Sequence, residues 1–195
     1  MLSLVIDTST KWLYVALIKD DTVLAYNQFI SQNAHSANFV STIERILRSN
    51  DYTVDSIDRI YCGIGPGSYT GQRIAITVAK MLCAFKPIAL YKVSSLYLAG
   101  SGYDNKNVSI IFDARRGNCF CANYGEEEIS DKLRVQEEFL ERVCHLFDLK
   151  VVYEDDFKVN PLKVIEKGEL VTDVDSLVPN YLRISEAEYN LKHSG

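Results

Sequence analysis

The sequence predicts an α/β fold built as two lobes of unequal size. Three observations predict it: three strand-like runs joined by short turns open the chain, helical and strand periods then alternate, and a pattern like the opening one recurs past mid-chain. At 195 residues the chain suffices for one domain or two small lobes. Its 47% hydrophobic and 24% charged residues suit a buried core rather than a disordered chain.

The opening runs are "LSLVIDTS" (2–9), "WLYVALIK" (12–19) and "TVLAYNQFI" (22–30), rich in β-branched and aromatic residues. Connections as short as "KDD" make them an antiparallel meander. From His35 to Arg48 the period changes, and Phe39, Ile43, Ile46 and Leu47 fall on one helical face, with Asn33 or Ser36 as candidate N-cap. "IDRIYCGI" (57–64) is a mostly buried strand. After the stretch "GIGPGSYTG" (63–71), Ile74, Val78, Met81, Leu82 and Phe85 mark the core face of a second helix, which stops before Pro87. "IALYKV" (88–93) is a strand and "SSLYLAG" (94–100) a short helix.

The polar segment "SGYDNKN" (101–107) places the lobe boundary, with residues 1–100 in the first lobe and 101–195 in a smaller second one. "VSIIFDARRG" (108–117) ends its strand on Asp113 as the first run does on Asp7, and "NCFCANYG" matches "WLYVALIK" in position and pattern, which suggests a degenerate internal duplication. "QEEFLERVCHLF" (136–147) is helical, "LKVVY" (149–153) a strand, and "NPLKVIEKG" (160–168) a helix with Pro161 in its first turn.

A formal net charge of −5 argues against a broad phosphate-neutralising surface and leaves only local patches such as Arg115–Arg116, a pair that is usually plain surface on an acidic protein. No apolar run approaches the roughly 20 residues that span a bilayer, and Met1 leads into "LSLVID" without a basic region or cleavage site, so a cytoplasmic protein is expected. Five cysteines without C-x-x-C spacing suggest neither a disulfide framework nor a zinc site; Cys119 and Cys121 are expected as core filler on one strand face.

The stretch 63–71 sits where a phosphate-binding loop would, between a strand and a helix N-terminus. It fails each specific motif. No Lys-Ser or Lys-Thr follows Gly71; the third glycine of G-x-G-x-x-G is replaced by Ser68 in one register and Thr70 in the other; and Pro66 and Thr70 flank Ser68 where G-x-S-x-G needs glycines. A tight turn closing a strand onto a packed helix explains the spacing equally well. Of the three histidines, His35 opens a helix, His145 lies in an amphipathic pattern and His193 near the end, and no pair stands at i, i+4 to hold a metal. The acidic runs at 126–128 and 154–156 suit solvated turns. No complete catalytic set emerges.

Six stretches together carry a resemblance: "IDTST" (6–10), "NAHSANFVSTI" (33–43), "GIGPGSYTGQRIAITVAKML" (63–82), "KVSSLYLAG" (92–100), "DARRGNCF" (113–120) and "PNYLRISEAE" (179–188). In this order the chain resembles the TsaB (YeaZ) family over nearly its whole length. The resemblance implies a two-lobed fold of the actin, sugar-kinase and heat-shock-ATPase (ribonuclease H-like) type with a reduced second lobe. It also implies a non-catalytic subunit that binds and activates TsaD in making N6-threonylcarbamoyladenosine beside the tRNA anticodon, with TsaC supplying the adenylate and TsaE as ATPase. ATP and a metal are then expected on partner subunits and no cofactor or metal on this one, with tRNA reached through the complex. Gln72 and Tyr69 depart from the family's common leucine and phenylalanine, and the second lobe is short.

Family members dimerise through the two first-lobe helices, which by resemblance places His35, Phe39, Ile43, Thr70, Arg73, Ile76, Thr77, Lys80 and Ala84 at a partner interface, with Gly65, Pro66, Gly67, Ser68 and Gly71 positioning the second helix. Arg73, Thr77, Lys80 and Ala84 do form a stripe at i, i+4, i+7 and i+11, which a solvated face would also satisfy. Homodimerisation in isolation through the same patch stays open, as do nucleotide at the subunit junction and a stand-alone hydrolase or glycoprotease-like enzyme using Asp7 or Ser68.

Overall fold

The computed structural model describes residues 1–31 and 35–182, and of residues 35–37 the backbone alone. The candidate caps Asn33 and Ser36, the His35 side chain, His193 and the stretch beyond 182 therefore lie outside the described residues.

Strands β1 (Leu2–Asp7), β2 (Trp12–Lys19) and β3 (Thr22–Ile30) form the expected antiparallel meander. Helix α1 (His35–Arg48), β4 (Arg59–Gly63), α2 (Tyr69–Phe85) and β5 (Ala89–Val93) come next, with β4 and β5 parallel to β1. Alternation sorts the side chains. Leu2, Leu4 and Ile6 of β1 and Leu13, Val15 and Leu17 of β2 face α1 and α2, while Val5, Tyr14, Ala16 and Ile18 face the other way.

Helix α3 (Ser95–Gly100) leads to the second sheet, made of β6 (Asn107–Asp113), β7 (Asn118–Gly125), β8 (Ile129–Val135) and, after α4 (Gln136–Val143), β9 (Leu149–Tyr153). Its strand order β8-β7-β6-β9 repeats the β3-β2-β1-β4 order of the first sheet, antiparallel and parallel pairings included, which gives the duplication a topological basis. The inner faces of both sheets share one core with α3 and α5 (Pro161–Lys167); a smaller core lies outside the second sheet, under α4. Cys119 and Cys121 belong to that outer core, and burial pushes the Cys119 thiol up to about 12, so it packs as an inert hydrophobe.

Several expectations change. Strand β8 is absent from the sequence pattern, since Asp131, Lys132 and Arg134 are weak strand formers; it survives as an edge strand paired to β7. Helix α4 ends at Val143, not at 147. The chain then returns to the first sheet: β10 (Glu169–Leu170) pairs with β5, and Leu177 joins the core under α1 and α2. Residues 169–182, assigned by order to the second lobe, pack against the first sheet.

The face of α2 is also corrected. Gly71, Gln72, Ala75, Ile76 and Ala79 are its buried residues, with Ile74, Val78 and Leu82 half-buried, whereas Met81 and Phe85 are exposed. Small residues at 71, 75 and 79 let the helix approach the sheet beside Ile76, and Met81 and Phe85 turn outward.

Candidate functional site

The glycine stretch connects β4 to α2 and is stitched to the β1–β2 turn. Ser68 N–H donates to Ser9 O at 2.6 Å, the Thr8 hydroxyl donates to Gly71 O at 2.7 Å, and Ala75 N–H donates to Thr8 Oγ1 at 3.1 Å. A Cβ on Gly67 would lie 2.2 Å from Ser9 O, and one on Gly71 2.0 Å from Thr8 O, so both positions require glycine for close backbone approach. Ser68 caps α2, its Oγ accepting from Gly71 N–H at 3.3 Å.

This stitching bears on phosphate chemistry. A cradle needs converging, unoccupied N–H groups, yet Gly65 N–H donates to Ser95 Oγ, Ser68 N–H to Ser9 O, Gly71 N–H to Ser68 Oγ and Gln72 N–H to Ser68 O, and Pro66 has none. Gln72 donates from Nε2 to Gly67 O at 2.8 Å; its buried Oε1 has no partner among the described residues.

Asp7 lies beneath the loop, fully buried. Its Oδ1 accepts from Ser9 N–H at 2.7 Å and its Oδ2 from the Ser95 hydroxyl. Burial pushes its carboxyl up to about 6, against the opposing pull of the Ser95 and Ser9 hydrogen bonds. Both its oxygens are thus engaged inside the chain, away from solvent. Among the described residues no three His, Cys, Asp or Glu side chains gather as a metal-binding group.

A cleft of about 800 Å³ opens between the lobes, lined by Ser9–Lys11, Gly67–Tyr69, Gln72, the Asp113–Arg116 turn, Glu154 and Asn180–Leu182. The basic pair Arg115–Arg116 stands on its rim, both residues in the left-handed region at φ 65° and 55°. The acidic run 154–156 is a turn with Asp155 and Asp156 exposed, as expected, and it also ties the lobes together. Glu154 accepts from Lys11 N–H at 2.8 Å and from Trp12 Nε1 at 2.7 Å, and Asp155 pairs with the Lys11 ammonium.

The expected interface residues separate into three groups. Phe39, Ile43 and Ile76 are buried in the chain's own core, so they cannot face a partner and instead support the helices from behind. Arg73 and Lys80 are engaged in cis: Arg73 Nε donates to Tyr181 OH at 2.7 Å with its guanidinium 4.2 Å from the Tyr69 ring, and Lys80 Nζ donates to Asp175 O at 2.8 Å. Thr70, Thr77 and Ala84 are exposed. The periodicity missed their apolar neighbours Met81 and Phe85, which α2's three small buried residues could have betrayed, and also Val40 on α1.

A family model described as TsaD, tRNA N6-adenosine threonylcarbamoyltransferase, matches residues 27–189. The chain is 33% identical to the tRNA threonylcarbamoyladenosine biosynthesis protein TsaB of Bacillus subtilis, with 96% of each chain covered. It is also 33% identical to the Escherichia coli protein of that name, over 64% of this chain and 55% of the other. Among solved structures, an uncharacterized Pseudomonas aeruginosa protein with similarity to peptidase YeaZ superposes with a TM-score of 0.75 at 21% identity, covering 93% of this chain and 99% of that one. That likeness bears on the fold alone, which is of the actin, sugar-kinase and heat-shock-ATPase type. No helix among the described residues is long and apolar enough to cross a membrane. By the full-length identity and the family model together, the chain belongs to the TsaB (YeaZ) family of tRNA threonylcarbamoyladenosine biosynthesis proteins.

Proposed function

We propose that the chain is a non-catalytic subunit that docks a TsaD-type transferase on the outward side of α2, beside α1, and activates it in forming N6-threonylcarbamoyladenosine on tRNA. The apolar exposure of that side carries the reading. Thr77, Met81, Ala84 and Phe85 fall at i, i+4, i+7 and i+8, with Phe85 85% and Met81 55% exposed, and Val40 of α1 is 55% exposed. Burying such a phenylalanine or methionine against a partner contributes about 1.5–3 kcal/mol each. Arg73 and Lys80, held by the C-terminal segment, rim the patch.

The loop supports the non-catalytic half of the reading. The N–H groups of Gly65, Ser68, Gly71 and Gln72 are engaged within the chain, Asp7 is enclosed, and the Ser68 hydroxyl serves as a helix cap. ATP and a metal then belong to the partner subunits; TsaC and TsaE act with the pair, and tRNA is reached through the complex in the cytoplasm.

The test is co-elution with a TsaD relative. The native mixture is expected to elute as a heterodimer, and Thr77→Arg and Phe85→Asp to separate it, since each places a charge in the contact. Unchanged elution of both mutant mixtures would remove α2 from the interface. The hydrolase alternative predicts peptide or nucleotide turnover by the pure chain that Ser68→Ala or Asp7→Asn abolishes.

A further inference from the structure

Ser94, the N-cap of α3, and Ser95, its first residue, are adjacent and bond to different sheets. Ser95 is fully buried and grips the glycine loop twice: its N–H donates to Gly65 O at 2.9 Å and its Oγ accepts from Gly65 N–H at 2.9 Å. The same Oγ donates to the Asp7 carboxylate and lies 2.9 Å from Ser9 Oγ. Ser94 engages the second sheet. Its Oγ lies 2.5 Å from Asp131 Oδ2 on β8 and 3.1 Å from Tyr124 OH on β7, while Tyr124 OH also donates to Asp131 Oδ1. Ser94 Oγ further caps α3, accepting from Leu96 N–H at 3.1 Å and Tyr97 N–H at 3.3 Å.

We infer that the Ser94–Ser95 pair is a two-sided pin that positions the start of α2 from the second sheet. Ser95 fastens the glycine loop, and Ser94 fastens the same stretch of backbone to the β7–β8 hairpin. Neither residue touches the outward side of α2, so both are positioning residues that act through the loop. Their consequence for partner docking rests on the function proposed above; their effect on the loop does not.

Ser94 is the extended N-cap and Ser95 the first residue of α3, and at this strand-to-helix junction the two successive hydroxyls bond to different sheets. Two hydroxyls in succession can therefore join two lobes at a single point. A hydrogen bond to a carboxylate contributes more than one between neutral groups, and each serine has one: Asp7 on the first-lobe side and Asp131 on the second. The β8 strand, whose polar sequence is poorly suited to a strand, supplies the second-lobe anchor.

Hydrogen exchange on the free chain decides the inference, with docking affinity as a second readout. Ser94→Ala and Asp131→Asn are expected to speed exchange of amides in residues 64–76 about tenfold, although both changes lie outside that segment. Ser94→Thr, which keeps a capping hydroxyl, restores the native rate. Ser109→Ala is the control: it removes a buried 2.7 Å bond to Asn123 within the second sheet and should leave residues 64–76 unchanged. Ser95→Ala should exceed all of these; if it does not fold, the Ser94 and Asp131 variants decide alone. Exchange in 64–76 no faster for Ser94→Ala than for Ser109→Ala overturns the pin. With a TsaD relative, Ser94→Ala is expected to raise Kd about tenfold, or 1.4 kcal/mol. If the native chain does not bind that relative, the docking reading fails while the exchange result still decides the pin.

Discussion

Asp7 and Asp113 end corresponding strands of the two sheets and begin in the same local geometry. Each Oδ1 accepts the N–H two residues on, from Ser9 or Arg115, at 2.7 Å in both cases. There the likeness stops. Asp7 is fully buried under the glycine loop with its second oxygen on Ser95, whereas Asp113 is exposed at the cleft. The cause lies in the segment that leaves the parallel strand beside each. After β4 come the glycine loop and the 17-residue α2; after β9 come a three-residue turn, Glu154–Asp156, and then the seven-residue α5, packed in the shared core. The duplicated frame fixes the turn, and the roof laid over it decides whether the carboxyl is enclosed.

The largest expected effect that distinguishes the corners is in pH dependence. Folded Asp7 holds its proton to about 6 against an ordinary 3.8. Across that window the folded chain binds more protons than the unfolded one, so this group's contribution to stability is present below about pH 4 and lost as pH rises through 6. The separation corresponds to about 3 kcal/mol. Denaturant titrations of native and Asp7→Asn chains should therefore diverge by about 3 kcal/mol between about pH 3 and about pH 7, in the variant's favour at the higher pH. The Asp113→Asn pair should stay within about 0.5 kcal/mol, as for an exposed site.

The next effect is steric. Gly71→Ala sets a Cβ 2.0 Å from Thr8 O and should lower stability by about 2–3 kcal/mol with loss of partner docking, because the backbone contact cannot yield. In the β6–β7 turn, the counterpart of the β1–β2 turn that packs on Gly71, Gly117 has φ +74° but nothing within 4 Å of an added Cβ. Gly117→Ala should therefore cost only about 1 kcal/mol, from backbone conformation alone. Equal melting shifts for the two would show that the first corner is not tightly roofed. The smallest effect concerns Gln72. Leucine there loses the bond to Gly67 O but removes an orphaned Oε1, so Gln72→Leu should change stability by less than about 1 kcal/mol in calorimetry.

The strands of both sheets are legible in the sequence where alternation and β-branched residues agree, as in β1, β2, β7 and β9. The polar β8 is not, because pairing to β7 rather than local preference holds it. Helix α2 is legible as a helix but not in its facing: apolar residues nearly encircle it, and the small residues 71, 75 and 79, not the largest ones, choose the buried side. Of the site, the glycine loop is visible in the sequence, but its purpose is not. Ser95 lies 88 residues from Asp7 and Ser94 lies 37 from Asp131, and no spacing rule connects them. The interface expectation fails at Phe39, Ile43 and Ile76 because one periodicity serves both a partner surface and a core face.

The most direct measurement is reconstituted transfer of the threonylcarbamoyl group to tRNA by TsaD, TsaC and TsaE, with the chain present, absent, or replaced by Thr77→Arg. Full transfer with the native chain and little without it or with Thr77→Arg is the expected result. Equal transfer in all three reactions would contradict a role as docked activator.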